Sequence, residues 1–149
     1  MCLPVNKKGH FLVTQRSSPG NTRWHNKWQV AGGGIDFGES PQQALAREVQ
    51  EELKVSVKII FPYPIVKSIS YNPGEDDDFP ERKVHITFAC YLVDIGNQKI
   101  DVSGDDETKS FKWINPQKIH ELDCLPLTKE FIEDAEKIVK NHHLLTMLQ

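Results

Sequence analysis

The sequence predicts an α+β protein, an α/β/α sandwich built over a mixed β-sheet. Three observations point there. Runs rich in Val, Ile and aromatic residues, several with period-two alternation, lie on both sides of a helical segment. A second amphipathic helical pattern closes the chain. The 149 residues contain no internal repeat, low-complexity tract or linker, which is the anatomy of one domain, residues 1–149, with a true core.

The elements follow in order. Residues 10–16 read as a strand and residues 17–22, with Pro19 and Gly20, as a loop. Residues 27–30 read as a second strand that feeds the glycine cluster Gly32, Gly33 and Gly34. Ser40 and Pro41 then open a helix, because Ser caps well and Pro suits the first helical position. Leu45, Val49 and Leu53 form its apolar stripe, with Ala46 beside it. The acidic residues of this helix lie on another face, so the helix is expected to pack inward and hold its carboxylates outward. Residues 56–60 and 65–71 read as strands. Residues 74–81 form an acidic loop in which Glu75 to Asp78 read as a solvated run. Residues 83–95 are the longest strand candidate, with Val84, Ile86, Phe88, Cys90 and Leu92 on one alternation. A short strand at 111–114 and a helical turn at 116–121 precede the last helix, 127–145. There Phe131, Ile132, Ala135, Ile138 and Val139 recur at helical spacing.

Composition narrows the function classes. The formal net charge is −3, from 18 basic and 21 acidic residues. This argues against nonspecific nucleic-acid binding, which needs a basic surface, while leaving room for a small phosphorylated ligand. Cys2, Cys90 and Cys124 are odd in number, widely spaced and without a CxxC pair. They read as reduced thiols of a cytoplasmic protein. The first residues lack the layout of a signal peptide. No apolar run reaches the ~18 residues of a membrane span. The six His show no zinc-ligand spacing.

The most informative stretch is Gly33 to Val55. Glu48, Glu51 and Glu52 are spaced i, i+3, i+4, on one helix face within about one turn. Carboxylates so close repel one another, and a divalent cation over them relieves the repulsion. Hard ions such as Mg²⁺ take a few carboxylates plus substrate phosphates. Arg47 can orient a neighbouring carboxylate through a two-pronged hydrogen bond, and Glu39 is placed to pair with it.

The same stretch resembles the signature of the Nudix hydrolases, of the single-domain MutT type. That signature is Gly, five residues, Glu, seven residues, then Arg-Glu-aliphatic-x-Glu-Glu-x-Gly-aliphatic. Gly33, Glu39, Arg47, Glu48, Val49, Glu51, Glu52 and Val55 all match, and only the late Gly departs, as Lys54. Such a match arises by chance at on the order of one start site in 10⁸. Lys54 falls at the helix C-terminus, where Gly usually supplies a left-handed cap. There Lys also complements the helix dipole, so the change is read as one of loop shape or stability.

The resemblance implies the α/β/α fold and a Mg²⁺- or Mn²⁺-dependent hydrolase. It would cleave a nucleoside diphosphate linked to another moiety, by water attack at phosphorus. It implies that Glu51, Glu52 and the backbone carbonyl of Gly32 bind metal, and that Glu48 is a ligand or the general base. Glu107, six residues before Trp113, resembles a further metal-site Glu, the alternative being a solvated turn at Asp105, Asp106 and Glu107. Arg16 resembles a phosphate contact, and Gly33 and Gly34 let backbone approach a ligand. Tyr71 resembles a feature of dinucleoside-polyphosphate hydrolases; Trp24 and Trp28 are alternative stacking partners or core, and Arg23 and Lys27 are weaker phosphate candidates. Family members usually carry a longer segment ahead of the strand at 10–16, so this strand is expected to be short or its lead-in truncated.

A nucleoside triphosphate is the expected substrate. Lys129 stands where a base-reading Asn of oxidised-guanine hydrolases would fall, and Lys only donates hydrogen bonds, which argues against that specificity. Dinucleoside polyphosphates, nucleotide sugars and capped or triphosphorylated RNA ends stay open, as does a homodimer. The rival reading is a non-catalytic Nudix-fold nucleotide-binding module. Such proteins usually lose signature carboxylates, whereas Glu48, Glu51 and Glu52 are all present here.

Overall fold

Period-two alternation decides which layer each side chain joins. The computed structural model of the chain describes residues 1–21, 23–75 and 80–148. Thr22, at the end of the expected loop, and residues 76–79 of the expected acidic loop lie outside the described residues. Along β1 (Cys2–Pro4), β2 (Phe11–Arg16) and β6 (Val84–Asp94), successive residues enter two different apolar cores. Leu3, Phe11, Val13, Cys90 and Leu92 face one; Cys2, Leu12, Tyr91 and Val93 face the other. The first core is closed by Phe131, Ile132, Ala135 and Val139 of α2 (Thr128–Asn141). The second is closed by Leu45, Val49 and Leu53 of α1 (Pro41–Leu53). Strands between two helices are the predicted α/β/α sandwich.

Two sheets make the middle layer. In one, β6 lies between β1, which runs parallel to it, and β4 (Lys58–Ile59), which is antiparallel. β5 (Ile65–Tyr71) pairs antiparallel with the earlier half of β6. The second sheet is antiparallel, in the order β3 (Trp28–Gln29), β2, β7 (Thr108–Ile114). The amide of Cys2 donates to the carbonyl of Ala31 at 2.9 Å and joins the sheets beside the glycine cluster.

α1 begins as expected. Ser40 Oγ accepts from Gln43 N–H, Gln43 Oε1 accepts from Ser40 N–H, and Pro41 is the first helical residue. Its apolar stripe outweighs its acidic crowding. Burying each of Leu45, Val49 and Leu53 contributes roughly 1.5–3 kcal/mol, whereas a like-charge pair at i, i+4 costs only about 0.2–0.5 kcal/mol. Two expectations are corrected here. Ala46 is exposed, and Ala44 takes the buried position beside the stripe. Glu52 does not point outward with the other carboxylates: it is 8% exposed. The helix ends at Lys54, which is left-handed at φ 58°.

Other boundaries moved for identifiable reasons. Cys2–Pro4 is a strand that precedes the expected first one, made by pairing with the distant β6. The segments at 27–30 and 56–60 keep only two ladder residues each. β7 starts at Thr108, three residues before the apolar run, because it pairs with Arg16 of β2. The expected helix 127–145 is α2 followed by a 3₁₀ turn, Leu144–Met147, with Leu127 left-handed at φ 68° just before α2. The 3₁₀ segment Pro116–Glu121 lies where the helical turn was expected. All three cysteines are free. Among the described residues no helix is long and apolar enough to cross a membrane.

Candidate functional site

Arg47 organises the acidic end of the site. Its Nε and Nη2 donate to the two oxygens of Glu39 at 2.8 and 2.9 Å. Its Nη1 donates to Glu48 Oε1 at 2.7 Å, and Nη2 also donates to the Gly34 carbonyl at 3.0 Å. Asp36 and Glu51 stand farther off, at 3.5 and 3.4 Å. The expected pairing of Glu39 with Arg47 is thus a two-pronged bond tying α1 to the loop before it. These bonds, with a further one from Asp36 N–H, hold the Glu39 carboxyl down at about 2. Glu48 lies directly against the loop: a Cβ on Gly33 would sit 2.6 Å from its Oε2. Only a glycine leaves that carboxylate its place.

Glu52 is the unusual group. Gly32 N–H donates to its Oε2 at 3.0 Å. Gly32 itself needs its lack of side chain, with φ at +117° and the Met1 backbone 2.7 Å from where a Cβ would be. Burial, followed by repulsion from Asp105, Glu48 and Glu107, pushes the Glu52 carboxyl up to about 7, against the opposing Gly32 bond.

Asp105 is the residue the sequence reading passed over. It sits in the loop before β7, with Oδ1 accepting from Glu107 N–H at 3.1 Å. Its Oδ2 is buried without a partner, and its charge is the strongest repulsion acting on Glu52. The signal was the acidic run at 105–107, of which Glu107 was singled out. Glu107 is 71% exposed and lies 3.9 Å from Arg16 Nη1. Arg16 has a buried Nε without a partner.

Among the described residues no three His, Cys, Asp or Glu side chains converge on one point as metal ligands. Glu48 and Glu51 are turned toward Arg47, and Glu52 toward Gly32. The donor chemistry nevertheless fits a hard divalent cation. Carboxylates outnumber the guanidinium groups beside them, one is pushed toward neutrality by burial and then by its acidic neighbours, and one has an orphaned oxygen.

A cavity of about 370 Å³ opens beside these groups. Gly32, Gly33, Gly34, Glu48 and Arg16 are among its lining residues. Trp24, Tyr71, Gln29, Leu125, Pro126 and Thr128 also line it. Trp24 and Tyr71 meet edge to face with centroids 6.4 Å apart, and Arg23 lies over Trp24. The cavity therefore gathers Arg16, Glu48, the glycines and Tyr71 as expected. Trp28 belongs to the α2-side core under Lys112, and Lys27 pairs with Asp123. Gln29 carried no signal in the sequence; Leu125, Pro126 and Thr128 belong to the stretch 125–130 that resembles a base-reading region, although Lys129 itself is not among the lining residues.

Comparison with known proteins agrees with this geometry. The NUDIX domain family model matches residues 1–138. Nucleoside triphosphatase NudI of Escherichia fergusonii is 24% identical over 135 residues, 87% of this chain and 90% of that protein. The 8-oxo-dGTP diphosphatase of Escherichia coli (strain K12) is 30% identical over 89 residues, 60% of this chain and 59% of that protein. A NUDIX hydrolase structure from Listeria monocytogenes str. 4b F2365 superimposes with a TM-score of 0.73 at 20% identity, covering 95% of this chain and 93% of that one. The fold and the arginine-organised carboxylates define a hydrolase acting on phosphoric anhydrides. The chain belongs to the Nudix family.

Proposed function

We propose that the protein is a metal-dependent pyrophosphohydrolase of nucleoside triphosphates, releasing a nucleoside monophosphate and pyrophosphate. The observation that carries this reading is one cavity lined both by Glu48, the glycines and Arg16 and by the aromatic pair Trp24 and Tyr71. The names of the NudI and 8-oxo-dGTP diphosphatase relatives support a triphosphate.

Glu52, Glu51, Asp105 and Glu107, with the Gly32 carbonyl, are the groups to hold Mg²⁺ or Mn²⁺. Such an ion supplies charge neutralisation at the phosphates and eases deprotonation of water. The rest is done by the chain. Arg16, a partly exposed guanidinium on the cavity wall, steadies phosphate charge. Gly33 and Gly34 admit the phosphates close to backbone. Glu48, fixed between Arg47 and Gly33, takes the proton of the attacking water as that oxygen bonds to phosphorus and the bridging P–O bond breaks. Tyr71 and Trp24 receive the base.

A screen of pyrophosphate and phosphate release over a nucleotide panel, with and without Mg²⁺, tests the reading. Mg²⁺-dependent pyrophosphate release from at least one nucleoside triphosphate is expected. Binding without turnover across the panel would instead establish a non-catalytic module. Preferred turnover of dinucleoside polyphosphates or nucleotide sugars would move the substrate class.

A further inference from the structure

We infer that Gln29 reads the nucleobase and sets which nucleotide the cavity prefers; this rests on the nucleotide reading above. Gln29 is 8% exposed, lies on the cavity wall and has no side-chain hydrogen bond among the described residues. Its amide atoms are nevertheless not sealed in: they are absent from the fully buried unpartnered groups. A carboxamide so placed is held for an external partner, because buried polar groups are otherwise matched within the fold.

The fold explains the placement. Gln29 pairs with Thr14 in the β2–β3 ladder, opposite in alternation to Trp28, whose ring packs in the α2-side core. The same two-residue strand is clamped from its far edge, where Trp28 N–H donates to Asp123 and Leu125 N–H donates back to Trp28. Backbone bonds on both sides thus fix the Gln29 Cα, and the cavity walls limit its rotamers. Trp24 and Tyr71 supply a π surface on the same cavity. Stacking is indifferent to base identity, since every base has a π face. A carboxamide beside the stack adds one donor and one acceptor, which can pair with adjacent polar atoms on a base edge.

The test compares kcat/KM for the four ribonucleoside and four deoxyribonucleoside triphosphates in the wild type, Gln29→Met and Gln29→Glu. Met keeps the volume and removes both hydrogen bonds; Glu keeps the shape and removes the donor. The wild type should discriminate among bases. Gln29→Met should lower the preferred nucleotide roughly ten- to a hundredfold and the poor ones by less, mainly through KM. Gln29→Glu should reorder the bases. A wild type indifferent to base, unchanged profiles, or an equal fall for every nucleotide would overturn the inference.

A measurement on the wild type covers the case in which neither variant folds. The Gln29 side-chain amide NMR signals should shift with an α,β-methylene nucleoside triphosphate and not with inorganic tripolyphosphate. An equal response to both, or none to either, would overturn the assignment. Absence of pyrophosphate release by the wild type defeats the proposed hydrolysis, whereas the amide signals still report on base reading.

Discussion

Replacing Glu52 by Gln should make the metal-free protein more stable while disabling it. The carboxyl is displaced from its ordinary 4.5 to about 7, chiefly by burial. In the unfolded chain it ionises near 4.5; in the native protein it keeps its proton until about 7. Between those values the native state holds a proton that the unfolded state has released, so stability falls as pH rises. The loss is complete above the folded value and is worth about 3 kcal/mol. A neutral Gln keeps an acceptor for Gly32 N–H and does not ionise. At pH 8 in EDTA, Glu52→Gln should therefore be more stable than wild type by up to about 3 kcal/mol, or roughly 6–12 °C in Tm. At pH 4.5 the two should coincide. Urea denaturation at pH 4.5, 6.5 and 8 measures this directly. Mg²⁺ should restore stability to the wild type at pH 8 and do much less for the variant. Turnover should fall at least about a hundredfold. A variant equally or less stable than wild type at pH 8, with no dependence of the difference on pH, would show that burial does not strain this carboxylate.

Three more outcomes follow from the geometry. Gly33→Ala puts a methyl 2.6 Å from Glu48 Oε2, so kcat should drop about tenfold or more with stability changed by less than about 1 kcal/mol, read by steady-state kinetics beside thermal melting. Lys54→Gly should relieve the left-handed cap at φ 58° and raise stability by about 0.5–1 kcal/mol in urea. Some of the gain is offset by loss of the Lys54 Nζ bond to the Glu51 carbonyl, and activity should be unchanged. Arg47→Ala should lower the thermal midpoint and remove most of the turnover, and Arg47→Lys should rescue little, because Lys lacks the fork that spans both Glu39 oxygens.

What the sequence disclosed follows from how local each signal is. The Ser40 cap, the Leu45–Val49–Leu53 stripe and the carboxylates of α1 are encoded within one helix, and each was legible there. β1 was not, because Cys2–Pro4 becomes a strand only by pairing with β6, nearly ninety residues away. Glu52 was expected to face outward with the other carboxylates; it is buried instead, accepts from Gly32 N–H and feels the Asp105 charge, and neither of those residues is on the helix. The acidic run at 105–107 was visible, but which carboxylate turns inward depends on the turn that Asp105 makes with Glu107 N–H. Gln29 was silent for the same reason: a polar residue in a two-residue strand becomes informative only once its lack of a partner is known.

The carboxylate cluster and the rest of the cavity wall come from different parts of the chain. Arg47, Glu48, Glu51, Glu52 and the glycines belong to one continuous segment that the Arg47 bonds lock together. Trp24, Gln29, Tyr71, Leu125 and Thr128 come from four separate places. Substitutions among the second group leave those locking bonds untouched, so such a protein can change what its cavity accepts over evolution without rebuilding its chemistry. The signature that makes a relative easy to find is then, for the same reason, uninformative about what that relative consumes.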